Sequence, residues 1–286
     1  MEVKIINIDD KQYPKQLKTI QNPPLKLYVI GNEKILEDNG IAIIGSRCYT
    51  EYGKTYALKF SKELAKQGLC IISGMALGID TFAHEGALSV GGKTIAVLGS
   101  GFKFIYPEEN KDLFYKIINS GGVVISEYEP NTMPNSKNFP TRNRIVSGLS
   151  NGVLVIEAFY RSGTSITANL AEKQGKKVFC IPSNLDRKNG VGTNNLIKEG
   201  ASLVTCSNDI LQGLNLEKIE DNMEREIVIP EEYKIIYEAI ENEATNINVI
   251  CKKLKTDISQ INASLMLMEL EGYIKSLPGN YYEKVI

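Results

Sequence analysis

The stretch Asn135-Ser-Lys-Asn-Phe-Pro-Thr-Arg-Asn-Arg-Ile-Val-Ser-Gly-Leu-Ser150 gathers three cations, Lys137, Arg142 and Arg144, around one aromatic residue, Phe139. A cation supplies affinity for phosphate, and an aromatic face stacks on any base. Together they are the minimum equipment for holding a single nucleic-acid strand without reading its sequence. Phe139 precedes Pro140, and a residue before proline is biased away from the helical region. This predicts that Phe139 stands in an extended loop between a strand and the next helix. The competing reading makes Phe139 a core residue and pairs the arginines with Glu127 or Glu157.

Glycine and serine recur just after the apolar runs of the chain: Gly45-Ser46-Arg47, Ser73-Gly74-Met75-Ala76, Gly99-Ser100-Gly101, Ser126-Glu127, Glu157-Ala158 and Pro182-Ser183. Small side chains there let backbone N–H groups approach a ligand, and free N–H groups at helix starts favour an anion such as phosphate. A dinucleotide cofactor is not expected. The chain reads Gly45-Ser-Arg-Cys-Tyr-Thr after its first central run, and Gly99-Ser-Gly101 has Phe104 where a GxGxxG motif needs its third glycine. No GxxxxGK[ST] loop occurs, and the one GxSxG match, Gly148-Leu-Ser-Asn-Gly152, leads into an apolar run rather than out of one, so neither a P-loop nucleotide nor an α/β-hydrolase nucleophile elbow is indicated.

The only histidine, His84, follows Asp80 by four residues, the spacing of a carboxylate–imidazole pair on a helix. Such a pair can act as a general base, but a structural role is the simpler expectation. Five cysteines without a CxxC pair, and no second histidine, give no metal cage and no disulfide framework. No cofactor and no metal are expected.

These residues need a scaffold, and the chain describes one. Apolar runs at Ile41–Ile44, Leu69–Ile72, Thr94–Leu98, Val123–Ile125, Val153–Ile156, Lys177–Ile181 and Ser202–Thr205 carry no polar alternation, as strands buried on both faces of a parallel sheet do. Between them lie helical signals. Thr50 can cap a helix with Tyr56, Phe60 and Leu64 on one face and Gly68 as its stop; further helices are expected at Glu108–Asn119 and Ser165–Gln174. Strand and helix in alternation predict an α/β fold, a Rossmann-like doubly wound, mostly parallel sheet over 41–213, with residues 1–40 as an extension packed on it. An acidic linker is expected over 214–231. Beyond it, Glu232–Glu241, Asn246–Leu254 and Asp257–Glu271 read as three helices, followed by two short strands around Pro278-Gly279. That is the order of a winged-helix domain, here 232–286. Its third helix has no Lys or Arg and is rich in Leu and Met, so a packing or partner role is expected of it rather than duplex binding.

At 286 residues, 43% hydrophobic and 23% charged, the chain has ample material for a core. The opening MEVKIINIDDKQYP has no apolar signal region and no run approaches the ~20 residues that span a bilayer, so a cytoplasmic protein without a membrane span is expected. The net charge of -1 counts against a nucleic-acid partner only until it is divided. Ile41–Thr205 holds 19 basic and 13 acidic residues, whereas Cys206–Ile286 holds 8 basic and 15 acidic.

The segments Ile41-Ala-Ile-Ile-Gly-Ser-Arg47, Ser73-Gly-Met-Ala-Leu-Gly-Ile-Asp80 through His84, Thr94–Gly99 with Tyr106-Pro107, Phe139–Ser150, Ser162-Gly-Thr-Ser-Ile-Thr-Ala168 and Gly192–Ile197 together resemble the DNA-processing protein A (DprA, or Smf) family. The resemblance runs from about Tyr13 to Thr205, and the winged-helix tail is in keeping with it. It implies a domain that binds single-stranded DNA without sequence preference, forms a homodimer and loads RecA recombinase in natural transformation. It also implies a DNA-binding pocket made of Gly45, Ser46, Arg47, Lys137, Phe139, Arg142, Asn143 and Arg144, with Gly163, Thr164 and Ser165 as backbone phosphate contacts. Only twelve residues precede Tyr13-Pro14, where many members carry a helical domain, and Pro182-Ser183 stands where the family usually has Pro-Gly.

The rival from another class is an enzyme. Rossmann-like hydrolases of nucleoside monophosphates carry a GxGTxxE motif whose glutamate assists glycosidic cleavage. Here Gly163-Thr164-Ser165-Ile166 is followed by Thr167, so the carboxylate is missing and binding without catalysis is the favoured expectation.

Overall fold

The computed structural model describes residues 2–219, 229–241 and 244–284. They form two compact units, Met1–Glu220 and Asp221–Ile286.

The first unit is built on a nine-stranded sheet. Its strands are β1 (Lys4–Asn7), β2 (Lys26–Gly31), β3 (Gly40–Ile44), β4 (Cys70–Ser73), β5 (Thr94–Leu98), β6 (Val123–Ser126), β7 (Gly152–Val155), β8 (Lys177–Cys180) and β9 (Ser202–Leu203), in the order β1-β2-β6-β5-β4-β3-β7-β8-β9. All seven apolar runs are strands, and β3 to β9 pair in parallel. The extension adds a hairpin: β1 pairs antiparallel with β2, and β2 antiparallel with β6.

Every residue of β3, β4, β5, β6 and β7 is buried. Successive side chains of a strand face opposite sides of the sheet, so β3 feeds two cores. Ala42 and Ile44 join the layer with Tyr13, Leu17, Val97 and Ile145, while Ile41 and Ile43 join the layer with Phe60, Leu64, Ile79 and Phe179. Helices cover both faces: α1 (Lys15–Lys18), α2 (Glu51–Lys66), α3 (Ile79–Ser89), α4 (Lys111–Asn119), α5 (Asn138–Gly148), α6 (Gly163–Lys173), α7 (Val191–Lys198) and α8 (Ser207–Gly213). The chain runs outwards from β3 through β4, β5 and β6, then returns to β7 on the other flank of β3. The β3/β7 boundary is therefore the point where the winding reverses, the place where open α/β sheets form a ligand crevice.

Two sequence expectations are corrected here. Phe139 is not in an extended loop; it lies in the first turn of α5, with Pro140 beside it. The first four N–H groups of a helix have no intrahelical acceptor, so a proline there forfeits nothing. The acidic segment does not leave the core at residue 214. Leu214 and Leu216 pack on the Phe60–Phe179 layer, and Ile219 exchanges backbone–side-chain hydrogen bonds with Gln67. The expected linker otherwise falls largely on residues 220–228, outside the described ones.

The second unit has helices α9 (Glu231–Ala239), α10 (Ile247–Leu254) and α11 (Ile258–Leu270), then strands β11 (Ile274–Leu277) and β12 (Tyr281–Lys284). A short strand preceding α10, β10 (Thr245–Asn246), completes a sheet of order β10-β12-β11. The core is Tyr233, Ile236, Ile240, Ile250, Leu265, Met268 and their neighbours. Three helices and a hairpin sharing one core make it a winged helix.

Candidate nucleic-acid interface

A cleft of about 560 Å³ opens at the carboxyl ends of β3, β4 and β7. Of the residues expected to bind, Gly45, Ser46, Arg47, Phe139, Arg142, Asn143, Gly163 and Thr164 line it. Helix α5 supplies Phe139, Arg142 and Asn143, spaced i, i+3 and i+4, so one face of one helix presents all three. Arg47 comes from the loop after β3, and its guanidinium carbon lies 5.7 Å from the centre of the Phe139 ring. The ring is half-buried and Arg47 is exposed. The pair thus offers a flat apolar face with a positive charge over it.

Arg142 behaves differently. It is 4% exposed and donates to the carbonyls of Gly74 and Val97 through Nη1, and to Asn143 Oδ1 through Nε at 3.1 Å. Burial lowers its pKa to about 10, with the Asp80 carboxylate opposing that shift, so it stays a cation at neutral pH. Asp80 in turn accepts from the N–H groups of Gly74 at 3.1 Å and Ala76 at 3.4 Å. Burial raises its pKa while Arg142 lowers it. The result is a cation fixed under the cleft, held by two backbone carbonyls and the Asn143 amide oxygen, with the Asp80 carboxylate acting on it through its charge.

Glycines at the strand ends serve the site's side chains. A Cβ on Gly74 would sit 2.6 Å from the Arg142 guanidinium, and one on Gly99 2.7 Å from the Phe139 ring. The serines also have partners: Ser73 Oγ donates to Ile43 O, Ser126 Oγ to Ser100 O, and Ser46 Oγ to Cys48 O. The sequence reading assigned this small-residue pattern to ligand approach; much of it instead packs the walls. Gly163 keeps the open role. Nothing lies within 4 Å of a Cβ built on it, and it starts α6, whose Ser162 cap accepts from Ser165 N at 3.4 Å. The first N–H groups of α6 border the cleft with no intrahelical acceptor.

Three expected residues lie elsewhere. Arg144 is two positions from Arg142 on the same helix, about 200° around its axis, and points away from the cleft. Its Nη1 and Nη2 grip Glu127 at 2.8 and 2.6 Å, its Nε donates to Asn22 O at 2.9 Å, and Nη1 also reaches Thr141 O. The competing reading of an arginine paired with Glu127 is the geometry found. Lys137 is exposed just before α5 and is not on the cleft wall. Ser165 lines a neighbouring depression. Glu157 holds no arginine; it accepts from the N–H and hydroxyl of Thr50 at the start of α2.

Tyr106 was missed as a site residue although its segment was singled out. It is 47% exposed, lines the cleft, and its ring centre is 5.4 Å from that of Phe139 at 31°. Asp80 and His84 do not pair: His84 Nδ1 meets Thr94 Oγ1 at 2.7 Å, and its Nε2 is buried without a partner. Among the described residues no cluster of His, Cys, Asp and Glu could hold a metal ion, and no helix is long and apolar enough to cross a membrane.

Known proteins place this architecture. Residues 4–215 match the family model described as DNA recombination-mediator protein A, and residues 229–280 match the DprA winged helix domain. Protein Smf of Escherichia coli is 36% identical over 285 residues, covering 97% of this chain and 76% of that protein. The crystal structure of DNA processing protein A from Streptococcus pneumoniae superimposes with a TM-score of 0.70 at 41% identity, covering 74% of each chain. DNA processing protein A from Helicobacter pylori, whose structure was described for its single-stranded DNA binding mode, superimposes with a TM-score of 0.66 at 35% identity over 74% of this chain and 96% of that one. With a mostly parallel sheet ending in this cleft, and a winged helix after it, the chain belongs to the DprA/Smf family of DNA-processing proteins.

Proposed function

We propose that this chain binds single-stranded DNA without sequence preference in the β3/β7 cleft, works as a homodimer, and hands the bound strand to RecA recombinase. The observation that carries the binding is the stacked pair of Arg47 and Phe139 above the buried Arg142. An exposed cation, an accessible ring and a fixed positive floor suit a phosphate, a base and the next phosphate. The walls offer no row of side-chain amides for reading base edges, which fits binding by stacking and charge. The homodimer and the transfer to RecA rest on membership of the family alone.

The nucleotide-hydrolase reading has less support. Thr167 stands where that motif needs a carboxylate, is 3% exposed, and donates its hydroxyl to Gly163 O. Asp80, the carboxylate on the cleft wall, is tied to two backbone N–H groups.

Fluorescence anisotropy with labelled oligo-dT at two salt concentrations tests the reading. Phe139→Ala should weaken binding some tens-fold, since a base stack contributes ~1–3 kcal/mol. Arg47→Glu should nearly abolish binding and flatten its salt dependence, because fewer counterions are released. Wild-type protein that shows no salt-sensitive binding refutes the reading, and release of nucleobase from AMP would replace it with the hydrolase.

A further inference from the structure

A second depression, about 410 Å³, lies beside the cleft on the far side of the loop that follows β7. The two share one wall. Phe159, Ser162 and Gly163 face the first cleft, while Tyr160, Arg161 and Ser162 face the second. Tyr160 is 58% exposed, and the guanidinium carbon of Arg161 stands 5.2 Å from its ring centre. This repeats the Arg47–Phe139 arrangement one strand further along the sheet edge. Asn169 on α6 and Asn195 on α7 add neutral amides, Ile166 adds an exposed apolar side chain, and Glu199 stands on the α7 side. Between the two depressions lies the N-terminus of α6, with Gly163 leaving its backbone open to approach.

We infer that this depression is a second single-strand subsite, in which Tyr160 stacks on a base and Arg161 holds the adjoining phosphate of a strand that has crossed the α6 N-terminus from the first cleft. The inference rests on the reading of the first cleft as a single-strand site. A strand leaving that cleft towards β8 meets, in order, unpaired helix N–H groups that favour phosphate, a cation and an aromatic face. Glu199 sets the outer limit of the path, because a carboxylate repels a further phosphate.

The test uses the full chain and labelled oligo-dT of roughly 6 and 16 nucleotides, lengths that bracket common single-strand site sizes. Wild type should bind the longer strand more tightly. Tyr160→Ala and Arg161→Glu, both at exposed positions, should each weaken binding of the longer strand about five- to tenfold and leave the shorter one unchanged. A strand carrying 5-iodouracil should photo-crosslink to the Tyr160 peptide only in the longer form. Variants that bind both lengths as wild type does, or lose both equally, overturn the second subsite. If Phe139→Ala still weakens the short strand in that case, the first cleft stands without it. If wild type binds neither length, the reading of the first cleft has failed and this inference falls with it.

Discussion

The β3/β7 cleft and helix α11 each stand where their folds commonly meet nucleic acid, and they are built from opposite materials. At the cleft, cations are brought to the sheet edge, and one of them, Arg142, is buried to do so. On α11 there is no Lys or Arg. One face, Ile261, Leu265 and Met268, fills the winged-helix core, while Met266, Leu267 and Leu270 stand 47–76% exposed. A winged helix reads duplex DNA by presenting polar and cationic side chains from this helix. The difference teaches that the fold of a module does not carry its surface chemistry: in this chain the concave site lined by arginines belongs to the sheet domain.

The largest expected effect comes from the buried floor of the cleft. Arg142→Ala leaves the Gly74 and Val97 carbonyls without their donor, opens a cavity and removes the cation that offsets the burial of Asp80, and should destabilise the protein to urea by about 3–5 kcal/mol. Replacing both, Arg142→Met with Asp80→Leu, should restore much of that loss while oligo-dT binding stays weak. Full binding by the double variant would show that the floor charge is dispensable and break the contrast with α11.

Acid should find the same region. Burial lowers the His84 pKa to about 3, whereas the unfolded chain takes up the proton near pH 6.5. Between those values the unfolded state binds more protons, so this group's contribution to stability falls as pH falls. Relative to His84→Gln, wild type should lose about 1.4 kcal/mol per pH unit below roughly pH 6, read as the difference in slope of urea stability against pH. Parallel slopes would mean that His84 is solvated in solution.

Arg144 sharpens the comparison from within α5. Arg144→Ala and Glu127→Ala should each cost about 1–2 kcal/mol of stability, the double no more than either alone, because the two groups act as one unit. Oligo-dT binding by correctly folded Arg144→Ala should fall far less than with Arg47→Glu. An equal loss would place Arg144 on the strand itself. The smallest effect is expected on α11, where Met266→Lys with Leu270→Lys should change stability by no more than about 0.5 kcal/mol and leave oligo-dT binding unaltered. A large gain in affinity for duplex DNA would show that charge alone separates this helix from a reading helix.

The sheet was legible because strands buried on both faces must be apolar throughout, and all seven such runs became strands. Strand β1 was not legible because it lies at the sheet edge, where only Ile6 of its four residues is buried. The two-residue β10 is too short to leave a pattern. Helix α5 was hidden by Pro140, whose usual effect on the preceding residue is void where helix N–H groups have no partner. The same misreading concealed a distinction within the site. In an extended loop Arg142 and Arg144 could share a face, but on a helix two positions apart they diverge, one into the cleft floor and one onto Glu127. Residue types announced the chemistry; only the backbone state told which cation was available for it.

Glu157 is 1% exposed, and its carboxylate ties the end of β7 to the first turn of α2, the helix that follows β3. A Cβ on Gly53 would strike that carboxylate at 2.3 Å, so the fit leaves no slack. One carboxylate therefore clasps together the two strands that border the cleft. If the cleft takes a single strand as proposed, the groove is set before the strand arrives, and the ordering entropy of binding falls on the nucleic acid rather than on the protein. On the proposed reading, a strand whose bases stack weakly among themselves gives up least on entering such a groove, so what small differences there are between strands follow base stacking rather than any contact to a base edge.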